Sequence, residues 1–345
     1  MKGPTSMKRR VCVAAGVMLA LTLVTGCGST TASSSGSPSA GSSTAATTIR
    51  IGSLKGPTTM GLVKLMSEAD AGRGKQDYRV TMYGAPEELL DRVVKGEFDV
   101  SMLPSNLPAV LYNKLKGSDG QVQVAAINTL GVLELVQSGD SIKSIADLKG
   151  KTIYSVGKGG SPEYTLDYFL KSSGLDPATD VNIQFKSEAT EVAAVLAAKP
   201  DAIGLLPQPF ATVVKVKNPA IHTAVSFTDE WAKLTSGSQA VSGVVVVNKL
   251  WAEKHRAAFN DFLTDYEAST KFTVTNPAES ADLIFKAGIT PSSEIALAAL
   301  PACNITYIEG TKLKSLLNGY LKVLFDAEPA SVGGTMPGDD LYYQR

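Results

Sequence analysis

The sequence is poor in the residues on which many functions depend. Only three of 345 residues are Cys and two are His, too few for a disulfide-stapled fold or a multi-ligand metal centre. The two His stand alone, and no HExxH, CxxC or nucleophile-elbow pattern accompanies them. Excess charge is also missing, since 33 Lys and Arg face 33 Asp and Glu. Four of those cations, Lys2, Lys8, Arg9 and Arg10, crowd the first ten residues; without them 29 cations face 33 anions. The remaining chain is mildly acidic and has nothing to hold a polyanion by charge, which excludes a nucleic-acid partner. A collagen-like or coiled-coil fibre is excluded by composition, whereas 44% apolar residues suit a globular body.

The N-terminus reads as an address. A basic start runs into an apolar stretch over 11–24, and 14 residues fall short of the ~20 that span a bilayer as a helix. A secretory signal over 1–26 fits that pattern. It ends in Val24-Thr25-Gly26-Cys27, which resembles the lipobox of bacterial lipoproteins and makes Cys27 the expected lipidation site. All 21 residues of 28–48 are Gly, Ser, Thr, Ala or Pro, a composition that buries nothing and predicts a flexible linker over 27–48, tied to the membrane by its lipid. The expected location is therefore the extracytoplasmic face of the cell membrane, lipid-anchored. Once Cys27 is modified, Cys303 has no partner for a disulfide and reads as a small buried apolar residue.

From residue 49 onward about 300 residues remain, enough for two cores. Apolar periodicity predicts strands over 49–53, 78–83, 100–103 and 122–127, with helices over 59–69, 86–94 and 107–115 between them. The rhythm restarts after Gly139-Asp140, with strands over 152–156, 181–185 and 202–206 and helices over 162–172 and 188–198. This is an α/β pattern, predicting two open, mostly parallel sheets flanked by helices. An internal echo supports two lobes: the helix, acidic turn, strand and Pro-polar turn around Asp99 and Pro104 recur around Asp201 and Pro207. Each Pro-polar turn follows the carboxyl end of a strand, where open α/β sheets place ligands.

Three segments carry a family resemblance: Asp147-Leu148-Lys149-Gly150-Lys151-Thr152-Ile153, Gly159-Gly160-Ser161-Pro162-Glu163-Tyr164, and Leu205-Leu206-Pro207-Gln208-Pro209-Phe210-Ala211-Thr212. Together they resemble the substrate-binding proteins of ABC importers, closest to the nitrate/sulfonate/taurine and thiamine-pyrimidine (NMT1-like) group. Gln208 stands where the family turn usually has Glu, and Ala202 occupies the usual Asp position. The resemblance implies a two-lobed periplasmic-binding-protein fold of the second type with a two-crossing hinge. One lobe would combine 49–134 with 243–345 and the other would be 135–242, with crossings near 133–137 and 242–247. It further implies a monomeric, non-enzymatic subunit without cofactor or metal, which captures a small organic solute and delivers it to ABC permease and ATPase subunits.

Turns at strand ends supply the candidate ligand-binding residues. Lys55, Thr58, Thr59 and Met60 follow the first strand; Ser105 and Asn106, then Asn128 and Thr129, follow later ones. Ser161, Glu163 and Tyr164 open a helix in the second lobe, and Gln208 offers both a donor and an acceptor. Helix capping by Thr58 and Ser161 competes with ligand contact at these turns. Tyr83, Tyr164 and Phe210 are candidates for an aromatic wall, and Ser187 and Glu188 for a second-lobe contact. No proposed turn contains Arg, the usual clamp for phosphate or dicarboxylate. A sulfonate or taurine-like solute is favoured, with a pyrimidine-like one next. The alternatives are an enzyme on the same fold, menaquinone- or thiamine-pathway-like, and a surface sensor or adhesin.

Overall fold

The computed structural model describes residues 46–235 and 237–345. The expected signal, Cys27 and nearly all of the linker lie outside the described residues. The last linker positions are tied into the fold: Thr47 N–H donates to Gln76 Oε1 at 2.7 Å, and Thr48 begins the first strand.

The first run of elements is Thr48–Leu54 (β1), Pro57–Met60 (α1), Val63–Asp70 (α2), Asp77–Tyr83 (β2), Pro86–Val94 (α3), Val100–Pro104 (β3), Leu107–Lys114 (α4) and Val122–Leu130 (β4). There follow Leu133–Ser138 (β5), Thr152–Ser155 (β6), Ser161–Ser172 (α5), Asn182–Phe185 (β7), Ala189–Ala198 (α6), Ile203–Pro207 (β8), Phe210–Lys217 (α7), Ile221–Ser226 (β9) and Phe227–Leu234 (α8). The chain ends with Val241–Asn248 (β10), Lys249–Lys254 (α9), Arg256–Thr275 (α10), Pro277–Lys286 (α11), Ser293–Ala299 (α12), Ile305–Ile308 (β11) and Gly310–Ala327 (α13). Among the described residues, no helix is long and apolar enough to cross a membrane.

The single helix expected over 59–69 is two helices, and α10 explains the break. Ser269 Oγ donates to Gly61 O at 2.7 Å and accepts from Leu65 N–H at 2.9 Å, while Thr273 Oγ1 donates to Met60 O at 3.2 Å. Side-chain hydroxyls thus take up the backbone groups freed at the interruption. The glycine there is also a packing requirement, because a Cβ at Gly61 would lie 3.0 Å from Thr270 Oγ1.

Two sheets result, in the orders β2-β1-β3-β10-β4-β11 and β7-β6-β8-β5-β9. The two orders correspond strand for strand over their first five members, and the two halves of the sequence echo, α3-β3-α4 and α6-β8-α7, occupy equivalent places. Both sheets are mixed rather than mostly parallel: β2, β1 and β3 are parallel, as are β7, β6 and β8, but β10 and β5 are antiparallel to every neighbour. The reason is topological. A β/α unit sends its strand toward the loops between the sheets, whereas β5, coming straight from β4, and β10, coming from the second sheet by way of α8, start at those loops and run away from them.

Burial follows this layout. Central β10 carries Val244, Val245, Val246 and Val247, all at most 1% exposed, as expected of a strand covered on both faces. One face of the first sheet packs on α10, whose rings Phe259, Phe262 and Tyr266 stack at centroid spacings of 6.0 and 5.7 Å. In β1, Ile49 and Ile51 point inward while Arg50 grips the buried Asp99 carboxylate at 2.7 Å. Asp99, the acidic residue of the echo, therefore anchors a strand rather than marking a turn. Helix α13 touches β4 and β10 of the first sheet and α5 of the second group, so the C-terminal region braces both.

Candidate functional site

The carboxyl ends of β1, β3 and β8, the loop after β6, and the starts of β5 and β10 border one cavity of about 1070 Å³. Both sheets contribute to its wall, at the place where the sequence expects a cleft.

In the first turn, Gly56 holds φ at 153°, a value that favours glycine, and directs Pro57 and Thr58 onto the wall. Thr58 is buried there, and Lys55 stands exposed at the rim. Thr59 and Met60 turn away. Thr59 Oγ1 bonds Ser53 Oγ at 2.6 Å, and Met60 is fully buried among Ala281, Ile284 and Cys303. The helix caps are Gly56 and Gly160, so the capping alternative for Thr58 and Ser161 does not apply, and those side chains have other partners.

Ser105 and Asn106, after β3 of the first sheet, meet Ser161, after β6 of the second, and the three bond one another. Ser105 Oγ lies 2.9 Å from Ser161 Oγ, which in turn donates to Asn106 Oδ1 at 3.0 Å. Asn106 Nδ2 donates to Ser331 O at 2.8 Å, and Ser105 Oγ to Val241 O. Ser161 reaches the cavity wall, whereas fully buried Ser105 and Asn106 lie behind it. The pair Asn128 and Thr129 is buried too: Thr129 Oγ1 donates to Asn128 Oδ1 at 3.0 Å and Asn128 Nδ2 to Met102 Sδ at 3.3 Å, away from the wall.

Glu163 folds back so that its carboxylate accepts the Gly159 N–H, and Tyr164 lies off the wall, its hydroxyl pKa raised by burial and by neighbouring carboxylates. Gln208 is enclosed between Glu134 and Thr212: its Nε2 donates to Glu134 Oε1 at 2.6 Å and its Oε1 accepts from Thr212 Oγ1 at 2.8 Å. It fixes the turn from which Pro207 and Phe210 face the cavity. Of the aromatic candidates, Phe210 lines the wall, while Tyr83 packs edge-on against Phe98 at 6.0 Å. Ser187 and Glu188 reach the rim, where Glu188 crosses to Gly84 so closely that a Cβ there would lie 2.1 Å from Oε1. Cys303 is fully buried, and burial pushes its thiol up to about 12.

Several wall residues lack an obvious signal in the sequence. Thr165 is one: it lies one turn after Ser161 on α5 and is legible only once that helix face is known. Tyr320 comes from α13, more than 150 residues away, and bonds Thr165 Oγ1 at 3.0 Å. Residues 288–291, after α11, complete the rim.

One group near the site titrates unusually. Asp167, a turn beyond Glu163, is partly buried, and burial together with the charge of Glu163 pushes its carboxyl up to about 6. In the unfolded chain the same group titrates near ~3.9. The native state holds the proton more tightly, so this group favours folding below ~4, and that advantage is lost as pH rises through about 6. Asp167→Asn is expected to raise Tm by about 3 °C at pH 7.5 and to leave it nearly unchanged at pH 4. Thermal unfolding at both pH values checks this, and a shift of equal size at each would contradict it.

Comparison with known proteins agrees with this architecture. Residues 120–280 match the family model described as NMT1/THI5 like. A Brucella abortus protein whose name calls it a binding protein is 26% identical over 211 residues, 61% of this chain and 64% of that relative, so the chain spans less than two thirds of the relative's length. A solved structure from Parabacteroides distasonis, titled an ABC transporter, has TM-score 0.69 at 22% identity and covers 87% of this chain and 99% of its own. The periplasmic aliphatic sulphonate binding protein SsuA of Escherichia coli has TM-score 0.64 at 18% identity, covering 82% of this chain and 93% of its own. The class defined by this likeness is the periplasmic-binding-protein fold, α/β with two mixed sheets flanked by helices. Both the sequence relative and SsuA are binding proteins by name.

Proposed function

We propose that this chain is the extracytoplasmic solute-binding subunit of an ABC importer, held at the membrane by a lipid on Cys27 and acting as a monomer. It captures a small organic solute between its two lobes and delivers it to a membrane permease driven by an ATPase. The lobes are 49–134 with 243–345, and 135–242. One observation carries the reading: two sheets of corresponding strand order turn equivalent strand ends toward a single shared cavity. The connections between β4 and β5 and between α8 and β10 are the segments about which the lobes would move.

Thr58, Ser161 and Lys55 are the proposed first-turn and second-lobe contacts, while Asn106, Ser105 and Gln208 hold the surrounding loops in place. The sulfonate or taurine class is the benchmark ligand, with pyrimidines next. A thermal-shift panel of sulfonates, taurine, nitrate, amino acids, pyrimidines and vitamins tests the reading, since a ligand at 100 times its Kd adds about 2.7 kcal/mol to the folded state. For the best responder, Thr58→Ala combined with Ser161→Ala is expected to weaken binding at least tenfold. A responder recovered chemically altered would favour the enzyme reading, and a panel without any response would remove the basis for solute capture.

A further inference from the structure

The cavity wall sorts its polar groups by depth. Its charged side chains, Lys55, Glu87, Lys158, Glu188 and Lys217, are all exposed at the rim. Its buried polar side chains, Thr58, Ser161, Thr165, Thr290 and Tyr320, are all neutral hydroxyls. Most of these are already engaged: Ser161 with Ser105 and Asn106, Thr165 with Tyr320, and Thr58 with Leu54 O at 3.3 Å. Among the described residues no Arg lines the wall.

Part of the usual refuge for an anion is also taken. Helix α5 opens at the wall, yet its own Glu163 carboxylate already accepts the Gly159 N–H. Acidic residues stand in the first turns of α3 and α6 as well, with Glu87 and Glu88 in one and Glu191 in the other, whereas α1, α4 and α7, whose first residues also reach the wall, carry none. An ionised group drawn to the buried part of this wall would lose its hydration and meet no charged partner there, because Lys55, Lys158 and Lys217 all stand at the rim. What the interior does offer is apolar surface from Leu54, Leu107, Leu133, Val156 and Phe210, in a volume far larger than a taurine-sized molecule fills.

We infer that the solute is uncharged, with an apolar body of alkyl or aryl carbon seated against Phe210, Leu133 and Val156 and its hydrogen-bonding group directed at the wall's hydroxyls, the Thr165–Tyr320 pair together with Thr58 and Ser161. The inference rests on the solute-binding reading and names its ligand class, one different from the sulfonates favoured by sequence. Glu163 acts as a selectivity residue, keeping the α5 start negative.

A matched pair of probes separates charge from size: hexane-1-sulfonate and hexyl methyl sulfone share a six-carbon tail and a sulfonyl group, and a methyl in the sulfone replaces the ionised oxygen of the sulfonate. Calorimetric titration of the full chain is expected to show the sulfone at least tenfold tighter, with little dependence on salt. Glu163→Ala is expected to narrow that ratio at least threefold by improving sulfonate binding alone, and Phe210→Ala to weaken the sulfone at least tenfold with Tm retained. Equal or tighter binding of hexanesulfonate, or of taurine in preference to the sulfone, would overturn the inference while leaving solute capture standing. Silence from both probes alongside silence from the wider panel would overturn the two together.

Discussion

Replacing Trp231 with alanine is expected to remove about 4 kcal/mol of stability, the cost of deleting a large ring from a site that cannot collapse. Trp231 is 1% exposed on α8. Its ring lies 4.7 Å from Tyr320 on α13, 5.7 Å from Tyr168 and 6.3 Å from Phe169 on α5, and Phe169 continues to Phe227 at 4.9 Å. Helix α13 follows β11 of the first sheet, so this aromatic cluster ties the C-terminal helix to elements of the second. The loss therefore reaches the site: Tyr320 bonds Thr165 and faces the cavity, and without Trp231 its ring loses the indole that packs on it at an interplanar angle of 35°. Urea unfolding followed by far-ultraviolet circular dichroism gives the stability change without relying on the deleted fluorophore. Trp231→Phe, which keeps most of the packing, should lose less than half as much. A loss below 1 kcal/mol for alanine would show that α13 is held by its contacts with β4 and β10 instead.

The contrast between what the sequence discloses and what it hides follows from how far each interaction reaches along the chain. Strands β1, β3 and β8 are read within a residue or so because their apolar runs are bounded by Gly, Asp and Pro, signals that act locally. The echo around Pro104 and Pro207 is local twice over, which is why it reveals two equivalent sheets. The break at Gly61 is not legible, since it depends on hydroxyls of Ser269 and Thr273 that lie two hundred residues downstream. The same limit governs the site. Thr58 and Ser161 reach the wall because their own turns point there, but whether Ser105 and Asn106 meet a solute or meet Ser161 is decided by a contact 55 to 56 residues away. Polar residues at strand ends are equally suited to either task, and composition at a turn does not distinguish them. The orientation of β5 and β10 was hidden for a related reason: an isolated apolar run carries no direction, and only the route by which the chain enters each sheet supplies one.

Gln208 illustrates the point most sharply, and the carboxylate that holds it gives the second large effect. Glu134 sits near the start of β5 with three partners. Its Oε1 accepts from Gln208 Nε2 at 2.6 Å, and its Oε2 accepts from Lys215 Nζ at 2.7 Å and from the Thr223 hydroxyl. The carboxylate is 15% exposed and the ammonium 29%, so the pair is largely withdrawn from water. Glu134→Ala removes the acceptor of an amide and a hydroxyl and the counter-charge of Lys215, which keeps only Thr223 Oγ1 at 3.0 Å, and the expected cost is about 3 kcal/mol, at the lower end for a broken buried pair because Lys215 can swing outward. Glu134→Gln retains the size and one acceptor and should cost about half of that. Replacing both charges with leucine is the decisive variant. If desolvation of the two ions nearly cancels their attraction, the double replacement recovers much of the loss, giving a coupling of 1 kcal/mol or more in a double-mutant cycle. The turn carrying Pro207 and Phe210 loses its brace in every variant lacking Glu134, so solute affinity should fall even where leucine restores stability. Recovery of both together would mean that the network serves the fold alone and that Gln208 does not position the cavity wall.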